Sequence, residues 1–438
     1  MAVSILHKSS KSLSLWQLLC FGVLTTPLAM GGLALVIFIP TFYAVDMGLG
    51  LAAVGAVFVF GRVFDVVTDP LIGHFSDQTR SKFGARKPWM VVGMPFFCIS
   101  VWLLLMPPED VSLVYLILVS GAYFLFYTIV DVPYSSIGLE ISPHVHERSL
   151  LASSKAVFQI IGAISAASIP FVLALTVPQS LGVIAQSVIA LCVIGLLLFL
   201  VFMPKAERPV TAEKLGFAKS VKFILKHRVF RYLLSSFFII QSANALTAGL
   251  MVLYVTHVIG SPELVGAFLG LLFLSTALFL PVWVILSRKF NKKTSWMISI
   301  VICSLGLVFA VFLGQGHVIG FVVFSIILGA SFGCDAIMPT SMLADVVSET
   351  ENEGQNRYGA TYLAIKNAVS KLTFVVPMGL AFPVLDLIGF EEKGQNASAQ
   401  IFAFIFFFAI LPIILRVIAF FVVKFSPVAN AELALKNG

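Results

Sequence analysis

Apolar positions run through this chain in blocks of about twenty residues, each closed by a short polar break. About twenty apolar residues are what an α-helix needs to cross a bilayer. Twelve such blocks can be counted, at roughly 15–43, 50–73, 89–107, 111–137, 151–177, 181–203, 230–256, 264–287, 295–314, 318–345, 359–388 and 400–423. The pattern predicts an all-α polytopic membrane protein with twelve transmembrane helices. No alternation of period two competes with it.

The longest polar break is "PKAERPVTAEKLGFAKSVKFILKHRVFR" at 204–231. It falls between the sixth and seventh blocks. The expected organisation is therefore a six-helix half over 1–203, a central loop over 204–229 and a second six-helix half over 230–438. The second part of that break reads as a basic amphipathic helix on the membrane surface or as a solvated linker. The halves also look related. The loop after block two is "KFGARKPW" (82–89) and the loop after block eight is "KFNKKTSW" (289–296), with Lys, Phe, a basic residue and Trp at the same offsets. Internal repeats of this kind place a binding site near the bilayer midplane, between the halves.

Composition agrees with the block pattern. Of 438 residues, 59% are hydrophobic and 11% charged, against about 25% charged in soluble domains. Charge is distributed by side. Lys8, Lys11, Arg80, Lys82, Arg86, Lys87, Arg148, the 205–231 stretch, Arg288, Lys289, Lys292, Lys293, Arg357, Lys424 and Lys436 share one side; Asp46, Glu109, Asp110, Glu263, Asp386, Glu391, Glu392 and a single Lys393 share the other. Basic loops mark the cytoplasm, so both termini are expected inside. The net charge of +7 then reports topology and contact with anionic lipid, not nucleic acid. The N-terminal block is too long for a cleaved signal segment and reads as a retained span. Cys20, Cys98, Cys192, Cys303 and Cys334 lie in apolar runs without paired or metal-ligand spacing and read as core residues. No nucleotide-binding, nucleophile or metal motif and no cofactor signature is seen, so an enzyme is not expected.

Function is expected where charge survives at membrane depth, because a charge there costs roughly 2.5–3.5 kcal/mol or more. Such positions are Arg62, Asp65, Asp69, Asp131, Lys155, Asp335, Lys366 and Lys371. Asp65 and Asp69 are four apart and share one helix face, about 6 Å from each other. At an effective dielectric of 20 they repel by roughly 3 kcal/mol, about two pKa units. The pair therefore holds a cation or keeps a proton, the behaviour of a coupling-ion site for Na⁺ or H⁺. The neighbouring Thr68 can add a hard hydroxyl oxygen. Two blander readings stand beside this one. Arg62 pairs with Asp65 and rigidifies the bundle, or Asp69-Pro70 marks a helix irregularity with a solvated side chain.

Asp131 lies in "YTIVDVPYS", one turn after Thr128 and two residues before Pro133, which frees a backbone carbonyl. It can bind a substrate hydroxyl or pair with Lys155, and Lys371 is its natural partner across the halves. Lys366 faces elsewhere and is expected to snorkel to the interface. Asp335, in "GASFGCDAIMP", either lines the cavity or is a buried polar residue bonded to backbone. The basic loop 80–87, with Arg80, Arg86 and Lys87 after Asp77, is expected to hold the inward-closed state through Glu140 or Asp345. His144 and His146 read as a solvated loop. "GAFLG" at 266–270 has small-residue spacing for dimers or for packing within the bundle.

These residues carry a resemblance. "GRVFDVVTDPLIGHFSDQTRSKFGARKPW" (61–89), "YTIVDVPYS" (127–135), "ERSLLASSK" (147–155) and "DVVSETENEGQNRYG" through "KNAVSKL" (345–372) resemble the glycoside–pentoside–hexuronide:cation symporters, the melibiose permease branch of the major facilitator superfamily. The resemblance implies the major facilitator fold in a monomer of the bacterial inner membrane. It implies cation-coupled symport of a glycoside or small oligosaccharide by alternating access. It implies cation-site roles for Asp65, Asp69 and Thr128, a sugar-binding role for Asp131, and a link between sugar and cation sites at Lys371. Thr68 stands for an asparagine of the cation site, which shifts weight from Na⁺ to H⁺. Lys155 stands for an arginine, and a lysine cannot grip two hydroxyls as a fork. Ser135 stands for a sugar-stacking aromatic, and "LTTPLAMGG" in the first block lacks a sugar-binding aspartate. These departures argue against melibiose itself. The "TPLA" stretch is nearer to bacterial relatives and, a little, to the lysophospholipid-carrying branch of animals. A lysophospholipid or other amphiphile is thus the alternative cargo, and a non-transporting membrane sensor or scaffold the alternative of another class.

Overall fold

The structure, a computed structural model, describes residues 13–79, 81–84, 86–141, 145–173, 175–204, 224–352, 359–391 and 396–427. Every regular element among them is helical. In chain order these are α1 (Leu15–Asp46), α2 (Leu51–Gln78), α3 (Lys87–Leu105), α4 (Leu113–Glu140), α5 (Val145–Val172), α6 (Val177–Phe202), α7 (Arg228–Gly249 and Met251–Ile259), α8 (Val265–Phe290), α9 (Lys292–Val311), α10 (Val318–Asn352), α11 (Gly359–Leu372, then Pro377–Ala381 and Phe382–Leu387) and α12 (Ser398–Lys424). Ten are long and apolar enough to cross a membrane unbroken, and α7 is an eleventh, bent by 46° at its break. Among the described residues α11 is the one of the twelve that is not long and apolar enough to count as a span. It carries Lys366 and Lys371 and loses regularity at 373–374. Its backbone then runs through a π turn that begins at Pro377, a residue without an N–H to give.

Polar residues at the breaks start the helices. Ser14 and Gln17 form a reciprocal cap on α1, with Oγ accepting from the Gln17 N–H at 3.2 Å and Gln17 Oε1 accepting from the Ser14 N–H at 3.0 Å. Asn291 Oδ1 accepts from the Thr294 N–H at 2.8 Å and starts α9. Outward faces stay apolar, with Phe60, Leu118, Leu197, Ile285 and Leu305 all more than half exposed, as a lipid-facing surface requires.

The two halves repeat each other. In the first, α1 packs on α5 and α6, α4 on α2 and α3, and α3 on α6; in the second, α7 packs on α11 and α12, α10 on α8 and α9, and α9 on α12. Local detail repeats too. Gly84 (φ 97°) and Asn291 (φ 73°) occupy the same offset of the two related loops, and both are left-handed; glycine and asparagine are the residues that tolerate this. Lys87 Nζ donates to the Met203 carbonyl at the end of α6 (2.8 Å), and Lys293 Nζ to the Ser426 carbonyl past the end of α12 (2.7 Å). The Tyr43 hydroxyl of α1 donates to the Leu104 carbonyl of α3 (2.9 Å), and that of Tyr254 in α7 to the Ala310 carbonyl of α9 (2.6 Å).

The halves meet most closely at the end of the bundle away from the termini. A Cβ on Gly266 of α8 would stand 2.8 Å from the Phe171 nitrogen and 3.0 Å from Pro170 Cβ of α5, and one on Gly379 of α11 would stand 3.0 Å from Val59 of α2. The "GAFLG" glycines thus serve packing within the molecule. One apolar cluster runs continuously through both halves, while a second, around Trp296, Met338 and Tyr362, stands apart in the second half. The cysteines are free, four of them buried and Cys98 half-buried.

Candidate functional site

Asp65 and Asp69 project from one face of α2, as their spacing requires. Arg62 sits one turn before, its Nη1 3.4 Å from Asp65 Oδ2. Thr128 of α4 reaches both carboxylates, its Oγ1 lying 3.2 Å from Asp65 Oδ1 and 3.0 Å from Asp69 Oδ1. One hydroxyl proton serves one of them at a time. From the other half, Lys371 of α11 brings its ammonium 2.7 Å from Asp69 Oδ2 and 3.4 Å from Asp65 Oδ2. Arg62 also bridges the halves, its guanidinium 5.2 Å from the Phe124 ring of α4 and 5.0 Å from the Phe374 ring of α11. The Asp65 side chain is 1% exposed, whereas Asp69 is 28% and Lys371 21% exposed. The cluster is therefore closed on one side and open on the other. Two positive and two negative charges balance within it.

A second polar group lies next to it on α4 and α5. Lys155 Nζ donates to Asp131 Oδ1 (3.0 Å) and Ser135 Oγ (2.6 Å), and Ser135 Oγ donates to Asp131 Oδ1 (3.3 Å). The ammonium also lies 4.9 Å from the Tyr134 ring. That ring is fixed by its hydroxyl, which donates to the Phe21 carbonyl (2.6 Å) and bonds Thr25 (2.8 Å). Asp131 and Lys155 are 27% and 28% exposed.

Other expected residues fall elsewhere. The Thr68 hydroxyl is buried and donates to the Asp65 main-chain carbonyl (3.3 Å), not to the carboxylates. Asp335 does not line the cavity, and its partners are side chains. It is 1% exposed, pairs with Arg416 of α12 (3.1 Å), and accepts from Trp296 Nε1 of α9 (3.1 Å) and Asn244 Nδ2 of α7 (3.2 Å). Arg416 also donates to Asn244 Oδ1. Arg416 escaped the membrane-depth reading, although it is the lone charge inside "ILPIILRVIAFFVV". Asp345 pairs with Lys292 of its own half (2.5 Å), a partner the expectation did not name. Arg86 is buried in the first half, donating to Ser76 Oγ (2.5 Å) and the Gly73 carbonyl (3.4 Å). Arg80, Arg357, His144 and most of the central loop lie outside the described residues, as do the side chains of Asp77, Glu140 and His146.

A family model described as MFS/sugar transport protein matches residues 20–430. Among curated proteins, the chain is 24% identical to the sodium-dependent lysophosphatidylcholine symporter 1 of Gallus gallus, over 90% of this chain and 83% of that protein. It is likewise 24% identical to the uncharacterized symporter sll1374 of Synechocystis (82% and 83% covered) and to the uncharacterized symporter YnaJ of Bacillus subtilis (88% and 85%). Among solved structures, the nucleoside transporter NupG superposes with TM-score 0.68 at 15% identity, covering 94% of this chain and 100% of that one. A bacterial homolog of the human lysosomal transporter Spinster, inward-facing and unoccupied, superposes with TM-score 0.72 at 13% identity, covering 97% and 99%. These two likenesses speak for the fold.

Proposed function

The chain belongs to the MFS/sugar transport protein family, with the major facilitator fold, and on that premise we propose that it couples Na⁺ or H⁺ at Asp65, Asp69 and Thr128 to symport of a glycoside held by Asp131, Lys155, Ser135 and Lys371. The observation that carries this reading is the Lys371 ammonium lying between the two α2 carboxylates. It stands where a coupling cation would stand. An arriving cation would leave the balanced cluster one charge in excess. At about 4 Å and an effective dielectric of 20, two like charges repel by roughly 4 kcal/mol. The movable charge is Lys371, on the half opposite to the carboxylates. Cation binding thus frees Lys371 to meet a substrate hydroxyl beside Asp131 and loosens one tie between α2 and α11.

Residues 1–203 and 230–438 rock as two bodies about this site, joined by 204–229. With basic loops and termini in the cytoplasm of a bacterial inner membrane, close contact at the opposite end corresponds to an inward-facing state. The protein works as a monomer with one substrate and one kind of cation. A second cargo, lysophospholipid, is favoured by the printed function of the Gallus gallus relative. A thermal-stability screen of the purified protein separates the two. Glycosides and lysolipids are tested with and without Na⁺, at two pH values. A glycoside shift that grows with Na⁺ or with protons is expected. A shift with lysolipids alone would move the cargo to lipid, and cation-independent shifts would overturn the coupling.

A further inference from the structure

Lys366 is a membrane-depth charge that neither the transport site nor the Asp335–Arg416 pair uses. It lies on α11, five residues before Lys371. Its ammonium is 4.8 Å from the Phe237 ring and lines a shallow, open cleft, whose other walls include Phe230 and Leu233 of α7 and Pro339 and Leu343 of α10. No carboxylate among the described residues comes within ion-pair distance of it. Every other wall residue is apolar. The cleft is too shallow to enclose a whole solute, and its apolar walls fit one side of an acyl chain lying along it.

Just before these wall residues the chain is basic. Lys226, Arg228 and Arg231 are exposed, and no carboxylate among the described residues pairs with any of them. Arg231 and Leu234 are three apart on α7, so this cation shares a helix face with a wall residue, while Arg228 opens the helix and Lys226 lies just before it. A cation inside an apolar cleft needs an anion with an apolar body. Three more cations at the end of the same helix fit a headgroup at the membrane surface. Basic pockets between membrane helices are the usual receptors of anionic lipid headgroups. We propose that the cleft between α7, α10 and α11 binds an anionic phospholipid of the surrounding leaflet, its phosphate on Lys366 with Arg228 and Arg231, its acyl chain between Phe230, Phe237 and Leu343.

The test titrates short-chain phosphatidylglycerol into the purified full-length protein and reads thermal stability. Phosphatidylcholine of the same chain length, lysophosphatidylcholine and free glycerol phosphate serve as comparisons. Phosphatidylglycerol alone should stabilise. Lys366→Gln should weaken its apparent affinity about fivefold or more, the effect of about one surface charge on anionic lipid, while Lys366→Arg retains it. Leu343→Trp, which fills the cleft and keeps the lysine, should weaken it too. Equal stabilisation by phosphatidylcholine, or by glycerol phosphate without a chain, would overturn the proposal. So would wild-type affinity in Lys366→Gln, or lysophosphatidylcholine acting through the same residues, which would make the cleft a cargo site. No glycoside and no cation gradient enters the assay, so its failure leaves the transport reading as it stood.

Discussion

Two of the ionic clusters at membrane depth are built on opposite plans. Asp335 and Arg416 are each 1% exposed and belong to the same half, with Asn244 and Trp296 completing the contacts from two further helices. Asp65, Asp69 and Lys371 straddle the two halves, and two of the three are partly open. A closed pair within one rigid body has no route for an ion and nothing to move against. On the proposed transport reading, an open pair across the boundary between two rocking halves has both. Charge at membrane depth is therefore a poor guide to function by itself. On that reading, what would separate a rivet from a coupling site is whether the partners ride on one body or on two.

The largest expected effect falls on the closed cluster. Arg416→Met leaves Asp335 buried without its counter-charge, a loss of about 3–5 kcal/mol. Purified protein should show a sharply lowered unfolding temperature, or fail to accumulate. Adding Asp335→Leu removes the stranded charge and should recover most of that loss, because an apolar pair of similar volume is often neutral. A double variant as unstable as the single one would mean that the cluster does more than hold helices together.

Asp69→Asn is expected to do the reverse. Asn keeps the shape and can still meet Thr128 and Lys371, so thermal stability should stay near wild type. Coupling should vanish, read as at least a tenfold loss of gradient-driven accumulation in vesicles. Uptake that still follows an imposed Na⁺ or proton gradient would remove Asp69 from the coupling site and make the two clusters alike.

The open cluster should also respond to the conformational state, and the closed one should not. Gly266→Leu places a side chain where a Cβ already meets Phe171 at 2.8 Å and the Ala167 carbonyl at 3.1 Å. Overpacking of this kind costs about 1–3 kcal/mol, and here only while α5 and α8 are in contact. The population should shift toward the form open at the far end. Spin labels at Asp110 and Gly314, in far-end loops of the two halves, should report longer distances. Unchanged distances would show that this contact is not a gate.

Much of this was legible in the sequence, and the gaps have physical causes. Asp65 and Asp69 stood out because their spacing puts two like charges on one face inside an apolar run. Asp131 and Lys371 stood out as charges at membrane depth, and the motif resemblance supplied the roles expected of them and of Thr128. The related loops were visible at eight positions each, and the shared left-handed residue at Gly84 and Asn291 gives that likeness a structural reason. Some partners were legible, as with Arg62 and Asp65 or Asp131 and Lys155, but others were not, because helix spacing says which residues share a face and not which helix lies opposite. Asp345, offered with Glu140 as a partner of the 80–87 loop in the inward-closed state, also has a basic loop in its own half, where Lys292 pairs with it in this structure. Arg416 was lost inside a strongly apolar block whose mean hydropathy of 2.8 a single charge does little to lower. The irregularity of α11 was hidden for the same reason, since a count of apolar residues does not register where backbone hydrogen bonds fail.

The smallest expected effects come from a matched pair of neutral donors. Thr128 gives its hydroxyl to the open cluster (3.2 and 3.0 Å), and Trp296 gives its indole N–H to the closed one (3.1 Å). Thr128→Val and Trp296→Phe each remove one donor to a carboxylate and little volume. A hydrogen bond to a charged group is worth about 1.5–3 kcal/mol. In the closed cluster that loss falls on the fold, because Asp335 has no exposed side from which water could replace the indole. Trp296→Phe should lower the unfolding temperature by a few degrees and leave the apparent cation affinity unchanged. In the open cluster Asp69 can recruit water, so Thr128→Val should move the unfolding temperature less. The threonine oxygen is instead a candidate ligand, and its loss should weaken apparent cation affinity about tenfold, close to the 1.4 kcal/mol that such a factor represents. Titrating the coupling ion against thermal stability for both variants reads both quantities at once. If Trp296→Phe shifted the cation midpoint as far as Thr128→Val, ion binding would be felt throughout the second half, and the division between rivet and coupling site would have to be redrawn as one connected network.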